Sequence, residues 1–359
     1  MNAILEKKLP KLSLMDAEQM ARAIHLQYVN DSNPGIQRSR KGDSFDYILN
    51  GRKIRNKAIL DRIKALVIPP AWENVWICDL PNGHLQVTGI DARQRKQYKY
   101  HPLWVDARNI TKFYHLHAFG KNLEAIRQKV EKDLALPGLP QQKVLALVIS
   151  LMYKTGIRVG NNAYEKANGS YGLTTLKDNH VDIKGGDMKF SFKGKKGVFQ
   201  NISIKSRRLA RIVQQCKDIP GKELFQYYDE NNERRKIDSG MVNGYIKEIT
   251  GEDFTAKDFR TWNGTIHALL AFKELQFFET ETEAKKKIVQ ALDIVSTQLG
   301  NTRTVCRKYY VHPVIISMYE DRSLEKYIDE LANMDKSENE TTLSCEEKIV
   351  MKILEERLM

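Results

Sequence analysis

Four side chains, in fixed order along the chain, have the types needed to move a phosphoryl group from a nucleic-acid backbone onto protein. They are Arg158 in Ile-Arg-Val-Gly-Asn, Lys195 in Phe-Lys-Gly-Lys-Lys-Gly, Arg260 in Ala-Lys-Asp-Phe-Arg-Thr-Trp, and Tyr310 in Arg-Lys-Tyr-Tyr-Val-His-Pro. A phosphodiester is attacked in line, and charge builds on its non-bridging oxygens and on the departing ribose oxygen. Catalysis is then chiefly positioning and electrostatic stabilisation. Two arginines suit the non-bridging oxygens, because planar forks donate in pairs and never lose charge. A lysine suits the leaving group, since neighbouring cations depress its pKa and let it surrender a proton. A tyrosine suits the nucleophile, because phenolate leaves readily and the covalent step is reversible. No nucleotide loop is present: Gly194-Lys195 is followed by Lys196 rather than Ser or Thr.

Each of the four also has an ordinary structural role open to it. Arg158 follows a long apolar helix whose last carbonyls it could cap, and Lys195 sits in a basic hairpin tip. Arg260 follows Lys257 and Asp258 at a helix start, where an intramolecular ion pair is the usual arrangement, and Tyr310 beside Tyr309 reads as half-buried packing. Singly these signals are weak; order, spacing and flanking residues together carry the chemistry.

The rest of the chain supplies the electrostatics. Its 359 residues hold 58 Lys and Arg against 45 Asp and Glu, a formal charge of +13, so the partner is polyanionic: nucleic acid or an anionic membrane surface. No apolar run approaches a membrane span and the N-terminus lacks a signal-peptide apolar stretch, which favours nucleic acid. The separated cysteines Cys78, Cys216, Cys306 and Cys345 contain no Cys-x-x-Cys. Neither a disulfide framework nor a zinc site is expected, and a reducing cytoplasm is the natural location. His115 and His117 form the only close histidine pair, in an aromatic stretch without a nearby thiolate, so no metal is expected.

Positioning the four groups requires particular elements. Leu14 to Tyr28 has helical spacing; after Asn33-Pro34-Gly35 come strand-like segments at Phe45 to Leu49, Val75 to Leu80 and Leu85 to Gly89, the last two separated by Pro81-Asn82-Gly83. Asp91 to His101 alternates bases with aromatics. From Pro102 the pattern turns helical. Gln141 to Tyr153 is apolar on most faces, as a buried helix would be, and Gly156 ends it. Leu176 to Ile204 alternates like strands around Lys-Gly-Lys-Lys-Gly, and further helices are expected near Ser206 to Cys216, Ser239 to Thr250, Ala256 to Phe278 and Thr282 to Gln298. Residues 335–359 hold seven acids against four bases, a balance of −3 that leaves +16 on the remaining 334. Ile349, Ile353 and Leu354 fall at helical spacing there. The expected architecture is α+β: a small β-rich domain over residues 1–103, a mostly α-helical domain with a small β-hairpin sheet over 104–334, and an acidic tail over 335–359.

From Pro69-Pro70-Ala71-Trp72 to His312-Pro313 the chain resembles the type IB DNA topoisomerases of the compact poxvirus-bacterial branch. The words that carry the resemblance are Val75-Trp76-Ile77-Cys78, Asp91-Ala92-Arg93 through Tyr100-His101, and Ile157-Arg158-Val159-Gly160-Asn161. They continue with Tyr171-Gly172-Leu173-Thr174-Thr175-Leu176, Phe192-Lys193-Gly194-Lys195, Thr255 through Thr261, and Leu299-Gly300-Asn301-Thr302. The resemblance implies a helical catalytic domain of the kind shared with tyrosine recombinases, in which Arg158 and Arg260 stabilise the transition state. It also implies that Lys195 is the general acid and that Tyr310 becomes joined to the DNA 3′-phosphate. Asn301 stands where the wider superfamily often has histidine; it can donate to a non-bridging oxygen but cannot carry charge. Gln97, Tyr98 and Tyr100, with Tyr164, are the implied DNA contacts. Tyrosines interleaved with Arg93, Arg95, Lys96 and Lys99 suit phosphates on chemical grounds as well.

The expected activity is relaxation of supercoiled duplex DNA by transient single-strand cleavage and religation, with no cofactor, ATP or metal. A monomer would clamp double-stranded DNA in the cytoplasm, associated with the nucleoid and not with a membrane. A tyrosine recombinase is the rival enzyme, disfavoured because Lys257 stands three before Arg260, where recombinases usually have histidine, and because the chain reads Leu-Gly-Asn rather than Leu-Gly-His. A non-catalytic basic DNA-binding protein would explain the charge but not the ordered set.

Affinity for duplex DNA should fall steeply as salt rises from about 50 to 200 mM, through counterion release. A flat dependence in a binding titration would argue against a phosphate-clasping surface.

Overall fold

The computed structural model describes residues 15–358 apart from Asp43, Arg93 and residues 336–339. The chain divides into two compact units, Met1–His115 and Leu116–Met359.

The first unit is built on one antiparallel sheet. It opens with α1 (Ala17–Ala23), whose N-cap Asp16 and Gln19 close a capping box. Strands β1 (Ile36–Lys41), β2 (Ser44–Leu49) and β3 (Arg52–Lys53) form a meander, α2 (Lys57–Ala65) crosses over, and β4 (Glu73–Ile77), β5 (Leu85–Ile90) and β6 (Lys96–Tyr100) complete the sheet. The strand order is β3-β2-β1-β4-β5-β6, which leaves β6 at an edge. Ile36, Val75, Ile77 and Val87 point from the sheet onto Ile63 of α2, and this cluster is the unit's main core. A second cluster joins Met20, Ile24 and Leu26 to Trp104. The strand-like segments expected from Phe45 to Leu49 and from Leu85 to Gly89 form, and the one expected from Val75 to Leu80 ends at Ile77. The helix expected from Leu14 to Tyr28 is shorter, because His25 adopts a positive φ of 61° just past its last turn.

The division between the units falls inside α3 (Pro102–Leu134). The second unit is mainly helical. In α4 (Gln141–Thr155), Val144 through Leu151 are buried without interruption, so the helix runs through the core with no solvent face over two turns. After α5 (Asn162–Asn168) come three antiparallel strands, β7 (Val181–Lys184), β8 (Asp187–Lys193) and β9 (Phe199–Lys205), in sequence order. Then follow α6 (Arg207–Lys217), the small hairpin β10 (Gln226–Tyr228) and β11 (Arg234–Lys236), and α7 (Ser239–Thr250). The helix α8 (Ala256–Leu275) buries Phe259 through Thr265, most of its circumference, against α4, α7, α9 (Glu281–Leu299), α11 (Pro313–Glu320) and α13 (Cys345–Leu358). The short α10 (Arg303–Tyr309) and α12 (Glu325–Ala332) complete the set.

One core spans this unit, from Leu116 to Leu354. Ile349, Val350, Ile353 and Leu354 of α13 are all fully buried, so the acidic tail's helix is a packed element. Its acids find cations of the same unit: Glu340 pairs with Lys154, Glu347 with Arg127 and Glu356 with Lys326. Lys336 and Glu338 of the tail lie outside the described residues. Among the described residues no helix is long and apolar enough to cross a membrane.

Candidate active site

Arg158 stands on a loop whose backbone is fixed at several points. α4 ends at Gly156, which takes φ 64° and returns its N–H to the Met152 carbonyl, a left-handed cap that glycine adopts without strain. The Arg158 carbonyl accepts the Leu173 N–H at 2.8 Å, and the Val159 carbonyl accepts both the N–H and the hydroxyl of Thr174, at 2.7 and 2.9 Å. The two segments touch backbone to backbone: a Cβ on Gly172 would lie 2.5 Å from the Arg158 carbonyl oxygen and 2.6 Å from Gly160. The word Tyr-Gly-Leu-Thr-Thr-Leu is therefore a clamp on the arginine loop.

The same word holds the lysine hairpin, since the Tyr171 N–H donates to the Lys193 carbonyl at 2.8 Å. β8 and β9 pair as far as Lys193 and Phe199, and the turn closes with Gly194 N–H to the Val198 carbonyl. Lys195, Lys196 at φ 61° and Gly197 at φ 80° make the tip. A second mooring comes from Gln200, whose amide lies against Gly300: a Cβ there would meet Oε1 at 2.5 Å. Lys195 is exposed as a residue. Its ammonium is nevertheless held below the ordinary lysine value, first by desolvation and then by Arg158, with Tyr310 acting in the opposite sense.

Arg260 comes from the second turn of α8. The helix begins with a capping box in which Asp258 accepts the Thr255 N–H at 2.8 Å. Asp258 is thus committed to the helix start, and the ion pair open to Arg260 in the sequence does not form. Arg260 is 4% exposed, and its guanidinium donates to the Gly156 carbonyl and, at 2.8 Å, to the Leu299 carbonyl. These are the C-terminal carbonyls of α4 and α9, where helix dipoles concentrate negative partial charge. Its Nε is buried without a hydrogen-bond partner, and its Cζ lies 5.0 Å from the Tyr310 ring centroid.

Past Gly300, which takes φ 56°, Asn301 accepts from Arg158 Nη2 at 2.6 Å; the same nitrogen donates to the Gly300 carbonyl at 3.2 Å. Asn301 thereby holds the first arginine. Burial and the repulsion of Arg260 lower Arg158 to about 10, while Tyr310 and Cys306 act to raise it. Both guanidiniums are held by carbonyl and amide oxygens, and among the described residues neither forms an ion pair.

Tyr310 caps α10 and is half-buried, its N–H donating to the Cys306 carbonyl at 2.9 Å. Its backbone crosses α8 at Gly264, where a Cβ would lie 2.5 Å from the Tyr310 carbonyl oxygen. Cys306, one turn back, is fully buried; desolvation pushes its thiol up to about 11 against the pull of Arg260 and Arg158, so it stays neutral beside the ring. The structure therefore gathers Arg158, Lys195, Arg260, Asn301 and Tyr310 in the second unit. Among the described residues there is no group of three or more His, Cys, Asp or Glu able to hold a metal ion.

The remaining candidates are placed separately. On edge strand β6, Tyr98 and Tyr100 are exposed and stacked, with ring centroids 6.1 Å apart. Strand alternation turns Gln97 to the other face, where it donates to Asp91 at 2.8 Å. Lys99, on that face too, donates to the Leu66 carbonyl. Tyr164 is exposed on α5, whose N-cap is Asn161. Arg93 lies outside the described residues. The sequence reading missed Gly264, Gln200 and Thr174 as determinants of this geometry. A glycine in mid-helix was the one signal of close approach available for Gly264.

A family model of the eukaryotic DNA topoisomerase I catalytic core matches residues 94–339, and one of the bacterial DNA topoisomerase IB N-terminal domain matches residues 44–91. The DNA topoisomerase 1B of Acanthamoeba polyphaga mimivirus is 32% identical over 296 residues, covering 80% of this chain and 88% of that protein. The DNA topoisomerase 1B of Vaccinia virus (strain Copenhagen) is 25% identical over 240 residues, covering 66% and 72%. A solved XerH site-specific recombinase bound to its difH substrate aligns with 54% of this chain and 49% of its own at TM-score 0.34 and 14% identity, too distant to argue from.

Replacing a mid-helix glycine by alanine ordinarily stabilises a helix by up to about 1 kcal/mol. Gly264→Ala should do the reverse, lowering the melting temperature and slowing covalent adduct formation at least about tenfold, because the Tyr310 backbone must move. A higher melting temperature with unchanged activity would remove this contact from the catalytic geometry.

Proposed function

The chain belongs to the DNA topoisomerase IB family, and from that premise we propose that Tyr310 is its nucleophile, with Arg158, Arg260, Lys195 and Asn301 as the groups that serve it. The enzyme is an isomerase acting on DNA, and the family mechanism proceeds through a 3′-phosphotyrosine. The observation that carries the residue assignment is electrostatic. The buried guanidinium of Arg260 stands 5.0 Å from the Tyr310 ring centroid, with Arg158 and Lys195 in electrostatic range and, among the described residues, no carboxylate paired to either arginine. Such a pocket is unfavourable when empty and is relieved by an anion. A pentacoordinate phosphorus carries more negative charge on its oxygens than the resting diester, so the pocket favours the transition state over the ground state.

In this reading the Tyr310 oxygen attacks phosphorus as the bond to the ribose O5′ breaks. The phenol's proton passes to solvent, and the departing oxygen receives one from Lys195, whose lowered pKa suits it to give the proton up. Arg158 and Arg260 donate to the non-bridging oxygens; the unsatisfied Nε of Arg260 provides a donor for one of them. The product is a 3′-phosphotyrosine and a free 5′-hydroxyl. Rotation of the downstream duplex dissipates torsion, and return attack by the hydroxyl restores the strand. Each step exchanges one phosphate ester bond for another, P–O5′ for P–O(Tyr310) and back, so no external energy is needed.

One copy of the chain suffices in this reading, since all five groups come from one unit of one chain. Tyr98, Tyr100 and Tyr164 offer exposed hydroxyls and ring faces to duplex DNA, and Gln97 on the opposite face of β6 is the weaker contact.

Tyr310→Phe should bind DNA within about threefold of the parent and yield no covalent adduct after denaturation, and no plasmid relaxation. Equal relaxation by both proteins would move the assignment to Tyr309. Lys195→Ala should slow cleavage of ordinary DNA at least about a hundredfold. It should cleave a strand carrying sulfur at the bridging 5′ position at nearly the parent rate, because a thiolate departs without a proton. Persistence of the defect on the sulfur substrate would remove Lys195 from the general-acid role. Relaxation should survive excess EDTA; abolition by the chelator would contradict a metal-free reaction.

A further inference from the structure

The acidic C-terminal stretch is the part of the chain that this chemistry leaves unused, yet it carries the most enclosed carboxylate of the second unit. Glu347, in the first turn of α13, is 1% exposed. Its oxygens accept from Arg127 at 2.7 and 2.8 Å, from the Tyr153 hydroxyl at 3.0 Å, from the Trp262 indole N–H at 2.9 Å and from the Ser344 N–H at 2.9 Å. Arg127 also donates to the Tyr153 hydroxyl at 2.6 Å and to the Thr342 carbonyl. A buried carboxylate with so many donors is directional: it fixes the elements that bring them.

Two of those elements lead to the arginines: α8 carries Arg260, and α4 ends just before the Arg158 loop. Trp262 lies two residues after Arg260 in α8. Tyr153 lies in the last turn of α4, three residues before Gly156, whose carbonyl takes the Arg260 guanidinium. The two helices are also tied directly, by Asn263 donating to the Tyr153 carbonyl at 2.9 Å. Glu347 therefore grips α4 and α8 where their spacing decides the distance between Arg158 and Arg260. The packing leaves little slack, since a Cβ on Gly120 of α3 would lie 2.3 Å from the Met351 sulfur of α13 and 2.7 Å from the Trp262 ring.

We propose that Glu347 is a positioning residue for phosphoryl transfer, acting through Trp262 and Tyr153 to hold the helix bearing Arg260 against the end of the helix preceding Arg158. The acidic tail is then a brace of the active site and not a partner-binding appendage. This inference rests on the assignment of Arg158 and Arg260 given above.

The test uses the full chain and single-turnover adduct formation on a nicked duplex, with DNA affinity and melting temperature measured alongside. Glu347→Gln should slow adduct formation at least about tenfold while DNA affinity changes less than about threefold. Trp262→Phe removes one donor and keeps the ion pair, so it should remain folded and slow adduct formation about threefold, again without loss of affinity. Each substitution should add little to the defect of Arg260→Lys but multiply with that of Lys195→Ala, because substitutions acting through one backbone shift couple while separate sites act independently.

Three results would overturn the proposal: full-rate adduct formation by folded Glu347→Gln; loss of DNA binding in step with cleavage in folded Glu347→Gln; or equal multiplication of Glu347→Gln with both partner substitutions. If Glu347→Gln melts below the assay temperature, Trp262→Phe decides by the same criteria. Failure of the parent protein to form an adduct, or an adduct on another residue, would instead count against the functional reading.

Discussion

The buried guanidinium of Arg260 is the constraint on which the site depends. Enclosing a cation costs several kcal/mol unless donors and charge are matched. Here the match comes from the carbonyls of Gly156 and Leu299, the C-terminal ends of two helices. Helix-end carbonyls bear partial negative charge, enough to hold a guanidinium without neutralising it. A carboxylate in their place would satisfy Arg260 and abolish its pull on a phosphate. The same two helix ends lead directly into Arg158 and Asn301, so one arginine sets the spacing of both turns and lies against the Tyr310 ring.

Close backbone approach does the rest. Gly172 lets the Thr-Thr segment grip the Arg158 loop, Gly264 lets Tyr310 cross α8, and Gly300 lets the Gln200 amide settle over the asparagine turn. A side chain at any of these points would push apart elements that must converge within a few ångströms. The candidate catalytic groups come from a loop, a hairpin tip, a helix and a helix cap. No single rigid element holds them, which is why so many small contacts are committed to their placement. The C-terminal helix fits this pattern: its buried Glu347 approaches α4 and α8 from α13, an element without a catalytic group of its own.

Much of the framework was legible in the sequence because its causes are local. The helix Ser239–Thr250 has the bounds expected, and those of α4, α6 and α9 differ by a residue or two, because apolar period and terminal glycines act within a few positions. The strand-like alternation around Lys195 became β7 through β9, with the glycine-lysine turn where the spacing placed it. Other local signals passed unread. Thr255 and Asp258 spell a capping box, which commits the acid otherwise available to Arg260. The reading of an arginine capping the long apolar helix was sound in kind but fell on Arg158, whereas Arg260, 104 residues away from Gly156, does the capping.

The sequence by itself supplied the candidate reacting groups, the types of element that carry them and the charge of the body around them. These follow from side-chain chemistry and from periodicities a few residues long. The tertiary structure alone decided that Arg260 turns to two helix ends and not to Asp258, and that Asn301 holds Arg158. It also decided that a tail acid, 85 residues from Trp262, reaches the indole. Such pairings depend on which surfaces meet once the core closes, and no local period records them.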